Sequence, residues 1–567
     1  MMRQKITELN ENAVKQFIFP YPIQKVRLLE SSEITRRLMQ EIDVKENLSL
    51  IVTAINMVAL EEKAAFFSAL MYHVHATYKS DAMEMYNNAE TVSQSVVPSA
   101  LLTELELILK VGRAEERGFF YNEKKNTFAF NANAFAKHFI KRCHIRSTKD
   151  GRLFLYNKKG VYEELAEVNL GKIIRKIMHE GLWNSWTSNR EKEVVKALQR
   201  EAISVDEMNT KRNYINLKNG MLNLTSFTLH PHSPEYLSTV QIPIDYDPKA
   251  AAPKFLDFMK DITLKDDELI RVHQELMGYW LTVETKAEKA VYYYGRGANG
   301  KSVLAAIVTA LVGEDNVSSV PLSQFNQQFG LEGIVGKSLN IAAENELSGK
   351  MLKTESVKSI VSGDNITINV KYRPPIINYK PFCRLLFLVN NLPDSADVTN
   401  GYFRKLLIIP FKRTFRQEER NVNLKQELLE ELPGILNWAI EGLKRLKENN
   451  YQFSYSKAIE ECQLAYYAEQ NPVREFFLEH IVLEEGARTK QSDFHQKYLQ
   501  WLYLQGIDDK GTKSKQIFWR YFKIVLENEN IPIVKKKIKG TIYFDGMKIV
   551  GLDNTQHPFL SGDIIQF

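Results

Sequence analysis

The stretch YYYGRGANGKSVLAAIVTALVG, Tyr292–Gly313, decides the fold. An apolar run, AVYYY from Ala290, has the pattern of a buried strand and ends at a glycine. SVLAAIVTALVG then reads as an apolar helix that stops at Gly313. Between them stands Gly295-x-x-x-x-Gly300-Lys301-Ser302, the full phosphate-loop pattern in its proper strand–turn–helix setting. The glycines let backbone N–H groups turn inward around a β-phosphate at the positive end of the helix. Gly295, Arg296, Gly297, Ala298, Asn299, Gly300, Lys301 and Ser302 are therefore expected to cradle ATP. Lys301 reaches the β- and γ-phosphates, and Ser302 ligates Mg²⁺.

The rest of the chain bounds what such a loop can serve. At 567 residues the sequence is too long for one hydrophobic core. With 44% hydrophobic and 25% charged residues it reads as a globular, soluble protein. A net charge of +6 permits a polyanionic partner without requiring one. Cys143, Cys383 and Cys462 lie far apart and make neither a disulfide framework nor a four-ligand zinc site, so a reducing cytoplasm is expected. The start, MMRQKITELNENAV, lacks the apolar run of a signal peptide. LSLIVTAINMVAL from Leu48 is too short to span a bilayer.

The expected fold class is multidomain α/β. A P-loop ATPase core of AAA+ type lies between a helical N-terminal region and a C-terminal winged-helix domain. The segments are a helical region over 1–125, a mixed α/β domain over 126–250, and a helical collar over 251–285. The ATPase follows over 286–425, then a helical extension over 426–470 and the winged helix over 471–567. GRLFLYNKKGVYEEL reads as a hairpin turning at Lys158-Lys159-Gly160.

Downstream of the loop, three positions complete an ATPase. GKSLNIAAENELSG is an apolar strand delivering Glu344 and Glu346 at its C-terminal end. A carboxylate there can hold Mg²⁺ and polarise the attacking water. LLFLVNN ends a second strand in Asn390, whose amide can sense the γ-phosphate or merely cap a turn. Arg404 precedes the strand LLIIPF, where an arginine can reach a neighbouring subunit's nucleotide and stabilise charge on the γ-phosphoryl group.

Together, GRGANGKS, LNIAAEN, VKSIVSGDNITINVKY, LLFLVNN and GYFRKLLIIPF resemble the superfamily 3 helicases, nearest the phage/plasmid and poxvirus-type primase-helicases. INLKNGMLNL, HPHSPEYLSTVQIPIDYDP and HQELMGYWLT extend the likeness upstream, over roughly residues 130 to 550. The resemblance implies a ring, hexameric in the family, with ATP sites between subunits and 3′ to 5′ movement on single-stranded DNA. It implies a channel hairpin in KSIVSGDNITINVKYRPP, with Lys371 on the DNA backbone and Tyr372 and Arg373 beside it. A cation for phosphate and an aromatic for stacking suit single-strand tracking. Lys358 is a further family-matching position. Two departures stand out. Arg404-Lys405 replaces paired arginines, so the finger falls to Arg404 and Lys405 stays open. Glu344 is the preferred metal carboxylate, and a slip of two residues would give Glu346 that role.

At the C-terminus, helix, turn, helix and strand hairpin spell a winged helix. Lys513, Lys515, Arg520 and Lys523 lie on its second helix, and Lys535, Lys536, Lys537 and Lys539 on its hairpin. Duplex or fork contact through Lys515, Arg520, Lys523 and Lys536 is the expected use. Asp81 and Glu84 sit in a helical setting unlike a primase carboxylate pair, and His138, Cys143 and His144 are an incomplete zinc set. The expectation is an ATP-dependent replicative helicase of a mobile element, a homo-oligomer working with a separate primase on single-stranded and forked DNA. A bifunctional primase-helicase and an ATP-switched origin-binding initiator are the competing readings.

Overall fold

The computed structural model describes residues 114–552, apart from 123–124, 126, 166, 344–351, 353, 396 and 508–512. The helical region expected over 1–125 lies almost wholly outside the described residues, as do Asp81, Glu84, Glu344 and Glu346. Contacts divide the chain into two compact units. One takes residues up to Asn216 and Gly220–Val240; the other takes Leu217–Asn219 and everything from Gln241.

In the first unit, a four-stranded sheet runs in the order Tyr162–Glu164, Leu153–Tyr156, Ile145–Thr148, Ile203–Val205. The hairpin turning at Lys158-Lys159-Gly160 forms its outer pair, with Tyr156 opposite Tyr162. Helix Ala132–Arg142 starts where the Asn131 side chain accepts the N–H groups of Asn133 and Ala134, and Thr187 caps Ser188–Glu201 in the same way. Phe135, Phe139, Ile173, Ile177 and Leu198 close the core between these helices. His138 is half-buried beside this core, and desolvation, reinforced by Arg117, pushes its pKa down to about 3.

The second unit is built on a five-stranded parallel sheet. Its spatial order is Val317–Ser318, Leu339–Ala342, Arg384–Val389, Ala290–Tyr294, Leu406–Pro410. The first strand in sequence, Ala290–Tyr294, thus lies between the fourth and the fifth, with Tyr292 opposite Phe387 on one side and Ile408 on the other. Arg384–Val389 and Leu406–Pro410 are buried at every position, as a parallel sheet covered on both faces requires. Asn340 explains itself within this apolar setting. Its carboxamide donates to Val320 O at 2.9 Å and accepts from Val320 N at 2.7 Å, replacing a missing strand pair.

Helices Asp267–Trp280 and Leu432–Glu448 pack against each other at two glycines. A Cβ on Gly278 would stand 2.3 Å from Ala439 O, and one on Gly442 2.1 Å from Gln274 O. Only hydrogen fits at this crossing. Beside it the buried Glu275 carboxylate accepts from Arg445 at 2.6 Å and from the Ser454 hydroxyl at 2.6 Å and amide at 2.8 Å. Gly442→Ala gains helix propensity yet is expected to lose about 1–3 kcal/mol, because backbones rather than side chains must move apart. A lowered melting temperature by circular dichroism is the expected result, and an unchanged one would mean that the helices are not this close.

The last described segment forms helices Pro472–His480, Gln491–Gln505 and Lys515–Asn528 around an antiparallel sheet. The sheet order is Ile481–Lys490, Thr541–Ile549, Lys535–Ile538. Its core is aromatic: Phe494, Phe518, Phe522 and Phe544 are buried together, and Trp519 stacks on Phe544 with ring planes 8° apart. Lys513 lies ahead of its helix, which begins at Lys515 after Ser514. The strand Ile481–Lys490 is an element that the sequence reading did not contain.

Candidate functional site

The phosphate-loop segment leaves its strand at Gly295, whose N–H donates to Val389 O at 3.2 Å. Arg296, Gly297 and Ala298 are exposed, and Asn299 is buried beneath them. The Asn299 carboxamide donates to Arg296 O at 3.3 Å and reaches Phe411 O at 3.5 Å, while Phe415 N donates to Ala298 O at 2.8 Å. The loop is thereby tied to the chain just beyond the neighbouring strand. Gly300 adopts φ +87° at the start of helix Lys301–Val312, and a Cβ there would lie 2.5 Å from Ile262 Cγ2. Nothing lies within 4 Å of a Cβ placed on Gly297, so the tip of the loop is open.

Lys301 is only 6% exposed. Its ammonium donates to Gly295 O, to Val389 O at 3.3 Å and to Asn390 Oδ1 at 3.3 Å. Burial lowers its pKa. Lys301 and Asn390 are 89 residues apart in sequence and meet because Ala290–Tyr294 and Arg384–Val389 are adjacent parallel strands. Ser302 is exposed in the first helical turn. Glu344 and Glu346 follow Leu339–Ala342, the next strand over, and lie outside the described residues.

Arg404 is not part of this cluster. It is exposed just before Leu406–Pro410, at the N-terminal edge of the sheet, whereas the loop opens at the C-terminal edge. Lys405, left open by the sequence, is buried and bound: its ammonium donates to Glu288 at 2.6 Å and to the Ser362 hydroxyl at 2.6 Å. Lys358 is likewise committed, 2.7 Å from Asp397. Burial works to raise the Asp397 pKa, but bonds from Lys358, Thr399 and Thr354 outweigh it and hold the carboxyl below its ordinary value.

Lys371, Tyr372 and Arg373 form the exposed turn of the hairpin Ile366–Ile368 and Ile376–Tyr379. Tyr372 has φ +59° and full exposure, an unusual position for a large ring without a packing partner. Lys515, Arg520 and Lys523 are exposed along helix Lys515–Asn528, with Lys523 3.3 Å from Glu527. Lys536 is less available. It pairs with Asp545 at 2.8 Å, and bonds from Arg488 and Lys536 hold that carboxyl at about 2. Sequence reading missed Arg488 and Asp545, the tie from Asn299 to Phe411, and the Lys405 partners. Only an unexplained buried-type position, such as a lysine inside KLLIIPF, could have hinted at the last.

A family profile described as "D5 N terminal like" matches residues 132–264, and one described as "Family of unknown function (DUF5906)" matches residues 293–405. The chain is 22% identical over 382 residues to "Putative helicase 184R" of Invertebrate iridescent virus 6, covering 59% of this chain and 36% of that protein. It is 27% identical over 160 residues to "Putative helicase L207/L206" of Acanthamoeba polyphaga mimivirus, covering 25% and 16% respectively. The chain therefore spans well under half the length of these relatives. Among solved structures, the A form apo structure of the NrS-1 C-terminal region aligns with a TM-score of 0.42 at 11% identity, covering 73% of this chain and 97% of that one. The sequence kinship is thus with viral proteins of helicase name. Among the described residues no helix is long and apolar enough to cross a membrane.

The two adjacent cations should separate in a stability measurement. Lys405→Ala leaves Glu288 and Ser362 without their donor and is expected to lower unfolding free energy by about 1–3 kcal/mol. Arg404→Ala, at an exposed position, should stay within about 0.5 kcal/mol of wild type. Denaturant melts that ranked the two variants the other way would reverse their structural roles.

Proposed function

We propose that this chain is an ATP-dependent replicative DNA helicase of superfamily 3 type. In this reading it forms a ring, hexameric by family resemblance, and moves 3′ to 5′ along single-stranded DNA in the cytoplasm. The gene then belongs to a phage, plasmid or other mobile element. The observation that carries this reading is the meeting of the Lys301 ammonium with the Asn390 carboxamide at 3.3 Å, at the edge of a parallel sheet where a glycine loop opens.

A triphosphate fits the loop. Among the described residues Lys301 is a buried cation held by carbonyl and carboxamide oxygens, and an anion at the open tip would supply a counter-charge. Ser302 and Glu344, or Glu346 in its place, would hold Mg²⁺. ATP and Mg²⁺ supply the phosphoanhydride bond and the charge that screens it. Lys301 neutralises charge on the phosphates, Asn390 orients the attacking water, and Arg404 acts on the nucleotide of the next subunit. The five-strand order, with the sensing strand inserted beside the loop strand, supports an AAA+-like core. On the DNA side, Lys371 is proposed to contact backbone phosphates, with Tyr372 and Arg373 stacking beside it. The three-helix, three-strand C-terminal segment is read as a winged helix meeting duplex or fork DNA through Lys515, Arg520, Lys523 and Lys536. A separate primase would act as its partner.

Strand displacement on labelled forks tests this. Wild type should open 3′-tailed but not 5′-tailed duplexes, and Lys301→Ala should abolish both hydrolysis and unwinding. Lys371→Ala should keep ATP hydrolysis within about threefold yet lose unwinding by about tenfold or more, the scale of a single lost nucleic-acid contact. A wild-type protein that binds ATP and duplex DNA but separates neither substrate would be an initiator switch instead. Ribonucleotide incorporation on a single-stranded template would mark a bifunctional primase-helicase.

A further inference from the structure

On the side of the loop facing strand Leu406–Pro410, the surface sinks into a cleft of about 330 Å³. That is the lower end of the range, about 300–1,000 Å³, in which small molecules bind. Tyr294, Gly295 and Arg296 form its floor, Phe411 one wall, and helix Lys457–Gln470 the other through Glu461 and Cys462. Its position is fixed by the loop itself. Phe411 N donates to Tyr294 O at 2.7 Å, Phe411 O faces the Asn299 carboxamide at 3.5 Å, and Phe415 N donates to Ala298 O at 2.8 Å. Lys301 and Asn390 meet toward the opposite neighbour, strand Arg384–Val389. A ligand held at the loop therefore has the Lys301–Asn390 pair on one side of Ala290–Tyr294 and, on the other, a slot where Pro410 and Ala458 lie among Arg296, Lys412 and Glu461.

We infer that this cleft takes the base of the nucleotide whose phosphates the loop holds, with helix Lys457–Gln470 supplying its far wall; this rests on the loop being the nucleotide site. The half-buried Tyr294 offers ring surface for a heterocycle, while the buried Phe411 ring packs on Tyr293 and His273 and backs the wall. The exposed Glu461 carboxylate accepts an N–H from the base edge. Cys462 reports on occupancy. It is half-buried while Cys143 and Cys383 are buried, so it is the thiol a small alkylating reagent reaches first. Burial pushes its pKa up to about 11, which lowers its thiolate fraction and slows alkylation.

The experiment follows alkylation of Cys462 by iodoacetamide in the full-length chain, with mass spectrometry of the modified peptide and Cys462→Ser as the labelling control. A non-hydrolysable ATP analogue and inorganic tripolyphosphate are compared, each at about ten times the dissociation constant measured in the same sample. Mass action then leaves about one site in ten open, so the analogue should slow alkylation about tenfold while tripolyphosphate leaves the rate unchanged. Ala458→Trp, which fills the slot, should weaken the analogue about tenfold or more and leave tripolyphosphate binding as it was; a melting curve matching wild type shows that the variant folds. Equal protection by both ligands would mean that loop ordering shields the thiol, and would overturn the base assignment. An analogue that binds without protecting Cys462 would also overturn it while leaving the phosphate loop intact. If neither ligand binds, the nucleotide reading of the loop fails and the cleft assignment falls with it.

Discussion

The ammonium of Lys301, set among the carbonyls of Gly295 and Val389 and the carboxamide of Asn390, is the interaction on which the second unit is organised. It exists only because Arg384–Val389 lies directly beside Ala290–Tyr294 in parallel register. An antiparallel neighbour would deliver Asn390 to the other edge of the sheet. A buried ammonium with no carboxylate against it among the described residues is costly, and the nearby oxygens offset only part of that cost. The arrangement is therefore suited to receiving an anion, and the open tip at Gly297 leaves room for one.

Parallel strands have a second consequence. Every residue that follows a strand lies at one edge, and every residue that precedes one lies at the other. Asn390 follows its strand and Arg404 precedes its own, so the two stand apart by the length of Leu406–Pro410, roughly 15 Å for five residues. Arg404 cannot serve its own loop without unravelling the sheet. Lys405 is fastened to Glu288 and Ser362 and holds the chain in place beneath it. The pair thus divides its labour: one cation is anchored inside the fold, and the other is presented outward.

What the sequence made legible was local. The strand–glycine loop–helix pattern around Lys301, the hairpin at Lys158-Lys159-Gly160 and the apolar strands ending at Ala342 and Val389 are all written in consecutive residues. What it hid was contact between distant segments. Nothing in KLLIIPF reveals that Lys405 meets Glu288, 117 residues away. Asn340 looks misplaced in an apolar strand until its bonds to Val320 are seen. Ile481–Lys490 is exposed along most of its length, so its text carries no burial pattern, and with it went the Arg488–Asp545–Lys536 cluster that pairs one exposed lysine with a carboxylate. The glycines at 278 and 442 carry no helical signal at all; only the meeting of two backbones explains them.

The proposed site shared between two copies of the chain rests on Arg404 lying at the opposite edge of the sheet from the loop, and subunit mixing tests it. Lys301→Ala and Arg404→Ala proteins are each assayed alone for DNA-stimulated ATP hydrolysis, then mixed and assayed again. Each alone should be inactive, while the mixture should recover hydrolysis, because some interfaces then pair an intact Lys301 with an intact Arg404. Full activity in Arg404→Ala alone would contradict it, as would a silent mixture whose two variants are shown to co-assemble.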